Sequence, residues 1–179
     1  MGQHVPDMPL RVRLVPFSRR HLDNTLAWVN RPELAHFTGA LFPVSRAAHY
    51  KWFNQLKSDP LRRWFAIEAD GSHCGNTGVK RLDPQNRCAE LFIYIGCEQF
   101  RGCGIGVRAT EQLTEWCFGR LGLHRVVAQV FAYNAAALAC YERAGFAREA
   151  VLREHYFHQG RRHDQIVLAR VNHGVYGSQ

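Results

Sequence analysis

The sequence predicts one α/β (α+β) domain in which helices flank a mixed, mostly antiparallel central sheet of six to seven strands. The first observation is size, because 179 residues with 46% hydrophobic content suffice for a single core. The second is the hydrophobic period, which alternates along the chain between that of strands and that of helices. No repeat or linker divides the sequence, so we place the domain at 10–171 and flexible termini at 1–9 and 172–179.

The first third predicts one strand followed by helices. Residues 10–17 alternate as a strand does, and Ser18 is a suitable N-cap for a helix over 19–29. Arg31-Pro32 starts a second, short helical piece, and Ser45 caps a third helix that runs to about residue 57. These helices precede the main block of strands.

The middle of the chain predicts three consecutive antiparallel strands. They cover residues 64–69, 74–82 and 88–95, where apolar and β-branched residues dominate. Asp70-Gly71 and the stretch 83–86 are turn signals between them. Short connections of this kind indicate a meander.

The last part predicts a helix, a strand, a helix and two strands. A stripe of apolar residues after 101–106 indicates a helix that ends near Gly122: Ala109, Leu113, Trp116, Cys117 and Leu121. A strand over 125–132 follows. Asn134 then caps a helix that Gly145 ends, and strands over 146–157 and 164–171 complete the order.

The charge favours an anionic partner. The formal net charge is +8, from 23 Lys and Arg against 15 Asp and Glu, which suits nucleic acid, an acidic protein or a phosphorylated small molecule. No apolar run reaches the roughly 18 to 20 residues of a membrane span, and the first residues lack the apolar stretch of a secretory signal. We therefore expect a cytoplasmic protein with no membrane partner.

Cysteines and histidines show no metal-site spacing. The six cysteines occur singly, without a CxxC pair, which indicates reduced thiols. His155 and His158 would point to opposite faces of an extended segment, and no cysteine stands near them or His163 at zinc spacing. We interpret the three histidines as a surface cluster and expect no metal.

The most informative stretch is 90–106, where an apolar strand runs into a glycine-rich loop and then directly into a helix. Converging backbone N–H groups and the helix N-terminus favour a phosphate there, although a tight structural turn is an equal interpretation. A dinucleotide fold needs an acidic residue at the end of the next strand, and 130–134 has none. No Gly-Lys-Ser/Thr follows, which excludes a Walker loop.

Two motifs resemble the GNAT superfamily of acetyl-CoA-dependent N-acetyltransferases. Arg101-Gly102-Cys103-Gly104-Ile105-Gly106 matches the family's Arg/Gln-x-x-Gly-x-Gly/Ala loop, which binds the coenzyme A pyrophosphate. Asn134, Tyr141 and Gly145-Phe146 match its second signature. Residues 28–32, 64–67 and 89–91 further resemble the branch that contains ribosomal-protein N-terminal acetyltransferases and nucleotide-amino-sugar N-acetyltransferases.

The resemblance implies acetyl-CoA as the cofactor and a splayed cofactor cleft between the strands at 88–95 and 125–132. Backbone groups of the first strand would meet the pantetheine amides and the oxyanion, because the splay leaves them unpaired. The cofactor-binding residues that it implies are Ile93, Tyr94, Ile95, Arg101, Gly102, Cys103, Gly104, Ile105, Gly106 and Asn134.

Catalysis requires a free amine and a proton for the leaving thiolate. A lysine-like amine has a pKa of about 10.4, so a base must deprotonate it. Glu90, on the strand before the loop, is the candidate, with a structural ion pair as the alternative. Tyr141 stands where similar proteins carry the tyrosine that protonates the thiolate. Cys103 or Cys140 as a ping-pong nucleophile is a distant alternative.

The acceptor is predicted to be a primary amine on a small molecule such as an amino sugar. A protein N-terminus is the alternative, and the acceptor region is expected around 28–42 and 154–164. Two non-enzymatic alternatives are an acyl-CoA sensor and a nucleic-acid module that uses Arg62-Arg63 and Arg161-Arg162. A solvated basic face explains those arginines better, which disfavours nucleic acid. An exposed C-terminal edge strand would allow a homodimer.

Overall fold

The computed structural model describes residues 10–38 and 43–174, and they form seven strands and five α-helices with two short 3-10 turns. Residues 1–9 and 175–179 of the predicted flexible termini 1–9 and 172–179, and residues 39–42 of the predicted acceptor region, lie outside the described residues. The elements are β1 Val12–Pro16, a 3-10 turn Arg19–His21, α1 Leu22–Val29, α2 Pro32–Thr38, α3 Arg46–Ser58, β2 Arg63–Ala69, β3 Ser72–Asp83, β4 Cys88–Ile95, a 3-10 turn Glu98–Phe100, α4 Ile105–Gly119, β5 Arg125–Phe131, α5 Ala135–Arg143, β6 Ala147–His158 and β7 Arg161–Val171.

The strands form one sheet in the order β1-β2-β3-β4-β5-β7-β6. Every neighbouring pair is antiparallel except β4 and β5, which are parallel and joined through α4. The predicted mixed, mostly antiparallel sheet and its central meander are therefore confirmed. The Asp70-Gly71 hairpin is also present, with both residues at positive φ.

The last hairpin differs from the prediction. β7 begins at Arg161 rather than at residue 164, because β6 and β7 pair as far as His158 and Arg161. Gln159 and Gly160 both have positive φ and close the hairpin in two residues. The turn folds His158 inward, where it is 7% exposed, so its assignment to a surface cluster was wrong.

Helix α4 packs along one face of the sheet and fixes where its own N-terminus lies. The predicted stripe residues Ala109, Leu113 and Cys117 are fully buried in two adjoining apolar clusters with β3, β4 and β5. Ile105, in the first turn, is only 1% exposed and packs with Ile67. Because α4 is buried both in its first turn and along its stripe, its N-terminus is held against the end of β4.

The opposite face carries an aromatic layer under α1 and α3. Trp64 and Phe92 meet with ring centroids 4.3 Å apart, and Gly78 on β3 pairs with both residues. A Cβ at Gly78 would lie 2.2 Å from the Arg63 carbonyl oxygen and 2.9 Å from the Phe92 ring. The missing side chain therefore allows the two rings to meet across β3.

A buried polar network fastens α1 to β3 and β4. The Asn76 side-chain amide donates to the Thr25 hydroxyl at 2.9 Å and to the Tyr94 hydroxyl at 2.7 Å. The His73 and His21 rings lie beside it, 4.7 Å apart. Nδ1 of His21 accepts from the Ser18 amide at 3.0 Å, which requires that nitrogen to be unprotonated.

We expect stability to fall as the pH drops from about 6.5 to about 4. Burial, with His73 and Arg20 nearby, lowers the pKa of His21 to about 4, and burial lowers that of His73 in the same direction. The unfolded chain takes up these protons near 6.5 while the folded chain resists them, so each such histidine costs up to about 1.4 kcal/mol per pH unit. Urea unfolding at pH 7.5, 6 and 5 measures the slope.

His21→Asn keeps an acceptor for the Ser18 amide and removes the titrating ring, so this variant should show a smaller slope than the parent protein. His155→Asn, at an exposed position on β6, is the matched control. If the free energy of unfolding depends on pH equally in the parent and in His21→Asn, His21 does not cause the loss of stability at low pH.

Candidate active site

Strands β4 and β5 separate part-way along their length. Their pairing ends at Glu90 and Val127, whereas β5 continues to pair with β7 as far as Phe131. Within the described residues, 91–95 therefore pair with β3 on one side and with no strand on the other. The predicted splay is confirmed, and it leaves main-chain groups of β4 available to a ligand.

A cleft of about 330 Å³ opens between the splayed strands, the loop after β4, and helices α2, α4 and α5. Its volume lies within the range of small-molecule sites. Nine of the ten predicted cofactor-binding residues line it: Ile93, Tyr94, Ile95, Arg101, Gly102, Gly104, Ile105, Gly106 and Asn134. The tenth, Cys103, is exposed and is not among the lining residues.

The start of α4 has the features of an anion site. Gly104 is the N-cap with φ +75°, a conformation that glycine adopts without strain. No side chain caps this helix and its first turn holds no acidic residue. The first-turn amides therefore lack intrahelical partners and face the cleft with the positive end of the helix dipole.

Gly106 brings α4 and α5 close together beside the cleft. A Cβ on this residue would lie 3.1 Å from Sγ of Cys140. The Thr110 hydroxyl donates to the Gly106 carbonyl at 2.9 Å and lies 3.9 Å from the same sulfur. Any side chain at position 106 would displace its neighbours or enter the cleft.

Helix α2 bridges the opening between β4 and β5. On the β4 side, Arg101 donates to the Ile95 carbonyl at 3.2 Å and to Oε1 of Glu33 on α2 at 3.0 Å. On the β5 side, the Tyr133 hydroxyl donates to the His36 carbonyl at 2.6 Å, with the two rings stacked at 4.6 Å. The helix is therefore tied to both edges of the cleft.

Asn134 caps α5 as predicted, because its side-chain oxygen accepts from the Ala137 amide at 3.1 Å. Both residues also line the cleft. The role of Asn134 in binding a cofactor stays a prediction.

Tyr141 follows Asn134 and Ala137 along the same side of α5 but is not among the lining residues. It is 3% exposed, and its ring packs edge-on against Phe146 with centroids 5.2 Å apart. Burial, with Cys140 and Glu90 nearby, raises the pKa of this phenol well above its ordinary value. The hydroxyl therefore keeps its proton at neutral pH.

Glu90 lies outside the cleft lining, at the last residue of β4 that pairs with β5. Its side chain is 8% exposed and is held by two cations: Nζ of Lys80 lies 2.8 Å from Oε1, and a guanidinium nitrogen of Arg81 lies 3.0 Å from Oε2. The arrangement is that of the structural ion pair.

The sequence interpretation missed several lining residues. Leu34, Phe37 and Thr38 come from α2, which no motif marks, and Arg143 comes from the last turn of α5. The run of alanines after Asn134 was a usable signal, because Ala136, Ala137 and Ala139 all line the cleft. Small side chains there let α5 lie close to the space that a ligand would fill.

The cysteines of the site show no sign of activation. Cys140 lines the cleft, but burial raises the pKa of its thiol and so disfavours the nucleophilic thiolate. Within residues 10–38 and 43–174, no group of three or more His, Cys, Asp or Glu side chains is placed to hold a metal ion. None of the helices described is long and apolar enough to cross a membrane.

A splayed mixed sheet that leads into a glycine-rich helix N-terminus is the architecture of acetyltransferases of the GNAT type. The family model described as "Acetyltransferase (GNAT) domain" matches residues 11–147, and the chain belongs to this family. The resemblance, the fold class and the family's cofactor, acetyl-CoA, are thereby confirmed.

Individual curated relatives share only about a third of their aligned residues with this chain. A putative ribosomal N-acetyltransferase, YdaF of Bacillus subtilis, is 35% identical over 97 residues, or 54% of this chain and 52% of that protein. The spermidine N(1)-acetyltransferase of Escherichia coli K12 is 28% identical over 115 residues, or 64% and 61%. The chain thus spans about half to three-fifths of the length of these curated relatives.

Among solved structures, spermidine N-acetyltransferase from Vibrio cholerae in complex with CoA and spermine has a TM-score of 0.84. The match covers 89% of this chain and 95% of that one at 22% identity. At this identity the likeness shows the fold and not the acceptor.

Proposed function

We propose that the chain is an N-acetyltransferase that moves acetyl from acetyl-CoA to a primary amine by direct attack in a ternary complex. The observation that carries the proposal is the course of β4, which leaves β5 after Glu90 and leads through the glycine loop to the uncapped start of α4. We also infer that the acetyltransferase domain covers 10–171, since the sheet runs from Val12 to Val171.

The residues around the cleft fit the cofactor. Amides of Gly104, Ile105 and Gly106 would hold the diphosphate at the N-terminus of α4, and main-chain groups of 93–95 would hold the pantetheine. Gly106 and Cys140 both line the cleft, and a Cβ on Gly106 would lie 3.1 Å from Sγ of Cys140, so the cleft reaches the point where α4 and α5 meet. When bound, acetyl-CoA supplies the activated acetyl thioester.

Tyr141 would act as the proton donor for the leaving thiolate. A phenol is protonated at neutral pH and can therefore donate, and Cys140 beside Tyr141 lines the cleft. Glu90 as the general base stays a prediction. Its ion pairs with Lys80 and Arg81 favour the structural role that the sequence left open.

We propose a small-molecule amine, such as an amino sugar, as the acceptor. Glu33 and Glu98, beside α2 and the loop after β4, are paired at 3.0 and 3.1 Å with Arg101 and Arg31. Neutralised carboxylates and a net charge of +8 offer little attraction to a polyamine. A protein N-terminus is the second candidate, which the similarity to the putative ribosomal N-acetyltransferase favours.

The homodimer stays a prediction, which the exposed edge strand β6 supports. It is the outermost strand of the sheet, and its Val151 and Phe157 are 55% and 65% exposed. An unpaired edge with exposed apolar side chains can pair with a second chain.

Acetyl-CoA is expected to stabilise the protein. At about 100 times its Kd, it should add about 2.7 kcal/mol to the free energy of unfolding. That gain corresponds to a rise in Tm of roughly 5–11 °C for a chain of this size. Desulfo-coenzyme A, which retains the diphosphate, should act similarly, and free adenosine should not. No shift with acetyl-CoA at millimolar concentration would contradict the proposal.

Thiol release across a panel of amines then identifies the acceptor. The panel contains amino sugars, polyamines, amino acids and N-terminal peptides, and the proposal expects the highest kcat/KM for an amino sugar. A thermal shift without thiol release from any amine would instead indicate an acyl-CoA sensor.

A further inference from the structure

A second cavity lies between the C-terminal end of α3 and the start of β2, and it shares no lining residue with the cofactor cleft. We call it the α3–β2 pocket. Its volume is about 450 Å³. Its lining includes six residues with charged or aromatic side chains: Phe17, Lys57, Asp59, Arg62, Arg63 and Trp64.

The charge of the α3–β2 pocket is strongly positive. Three cations line it against one carboxylate, Asp59, and that carboxylate is already engaged. Asp59 lies 3.0 Å from Nε of Arg62 and accepts from the Leu61 amide at 2.9 Å. Within the part of the chain that the structure describes, no carboxylate forms an ion pair with Lys57 or Arg63.

Arg63 is held in place for a further contact. One of its terminal nitrogens donates to the carbonyls of Pro60 and Arg62 at 2.9 and 2.7 Å. A guanidinium has further N–H donors in a fixed planar fork, which matches a phosphate. Anchoring of one nitrogen therefore lowers the conformational cost of binding an anion with the others.

An aromatic wall completes the pocket. Phe17 and Trp64 line it with ring centroids 5.7 Å apart, and both are only half-buried. Trp64 also packs against Trp52 at 4.7 Å and Phe92 at 4.3 Å. These contacts hold both rings in place, and because the two ring planes meet at 66°, a planar base can stack on one ring and contact the other with its edge.

On a solvated basic face the cations are spread out, whereas here three of them line one concave, ring-lined cavity. Like charges brought together repel one another unless an anion binds between them. We propose that the α3–β2 pocket binds a nucleoside mono- or diphosphate, with the phosphates on Lys57, Arg62 and Arg63 and the base on the wall of Phe17 and Trp64. This inference does not depend on acetyl transfer.

The test is calorimetric titration with UMP and UDP in saturating coenzyme A, which keeps the probe out of the cofactor cleft. UDP should bind, and the double variant Lys57→Gln/Arg63→Gln should weaken it by about tenfold or more, since charge-assisted hydrogen bonds are lost. The double variant Arg120→Gln/Arg153→Gln, at exposed positions after α4 and on β6, changes the net charge equally and should bind UDP as the parent does. Unchanged melting temperatures confirm folding of both.

Three results would overturn the proposal: no binding of UDP to the parent, equal loss in both double variants, or inorganic phosphate binding as tightly as UDP. Far tighter binding of a short single-stranded RNA than of UDP would also overturn it in favour of a polynucleotide.

Two further results would support the proposal and show whether the nucleotide is part of the acceptor or a separate effector. A lower KM for a nucleotide-linked amino sugar than for the free sugar, lost in Lys57→Gln/Arg63→Gln, places the nucleotide on the acceptor. A UDP effect on kcat with a nucleotide-free amine makes it an effector.

Discussion

The Gly106→Val variant is expected to bind coenzyme A at least about 100-fold more weakly than the parent protein, a loss of about 2.7 kcal/mol. The first added carbon alone would lie 3.1 Å from Sγ of Cys140, and because Gly106 and Cys140 both line the cleft, the two methyl groups are expected to extend into it. They would occupy the space beside the first-turn amides that we assign to the diphosphate. Isothermal titration with coenzyme A measures the change.

The matched control is Gly119→Val in the same helix. Gly119 is the last residue of α4, is exposed, and has no atom within 4 Å of the position that a Cβ would take. Valine in place of glycine changes helix propensity in the same direction at both positions. The control should bind coenzyme A as the parent does. Tight binding by a folded Gly106→Val variant would remove the start of α4 from the cofactor site.

Local features of the site were predictable from the sequence. The glycine loop, the Asn134 cap and the apolar stripe of α4 depend on residues within one or two turns of each other. Backbone conformation and helix capping act over that range, so the pattern contains the information. The Asp70-Gly71 hairpin was predictable for the same reason.

The environment of Glu90 was not predictable, because it depends on strand register. The turn after β3 pairs Asp83 with Cys88, and regular counting from there would pair Arg81 with Glu90. An irregularity between Lys80 and Asp83, with Arg81 at φ +52°, shifts the register so that Lys80 pairs with Glu90. Both cations then reach the carboxylate, so the candidate base takes part in two ion pairs.

The sequence places α2 within the expected acceptor region at 28–42 but does not give its contacts, because these are distant along the chain. Glu33 meets Arg101 and the His36 carbonyl meets Tyr133, at separations of 68 and 97 residues. Neither contact follows from a local pattern. Together they place a helix with no motif of its own across the opening where the acceptor would meet the cofactor.

The Tyr141→Phe variant is expected to lower kcat by about 100-fold or more, within the range for loss of a general acid. The leaving thiolate then has no phenol to take a proton from, whereas the ring and its packing against Phe146 are retained. Because the phenol is proposed to act only on the departing thiolate, and not on the bound thioester, KM for acetyl-CoA should change by less than about threefold. Thiol release at saturating acetyl-CoA, with the best amine of the panel, measures both constants.

The pH profile separates this role from a structural one. The raised pKa of Tyr141 keeps Oη protonated throughout the neutral and mildly alkaline range, so the rate of the parent should rise with pH as more of the amine is deprotonated. Tyr141→Phe should keep that rise at a lower absolute rate, since the amine still titrates. Tyr50→Phe on α3 is the matched control and should retain the parent kcat. A folded Tyr141→Phe variant with full kcat would show that the thiolate leaves without this proton, and the tyrosine would then be a core residue alone.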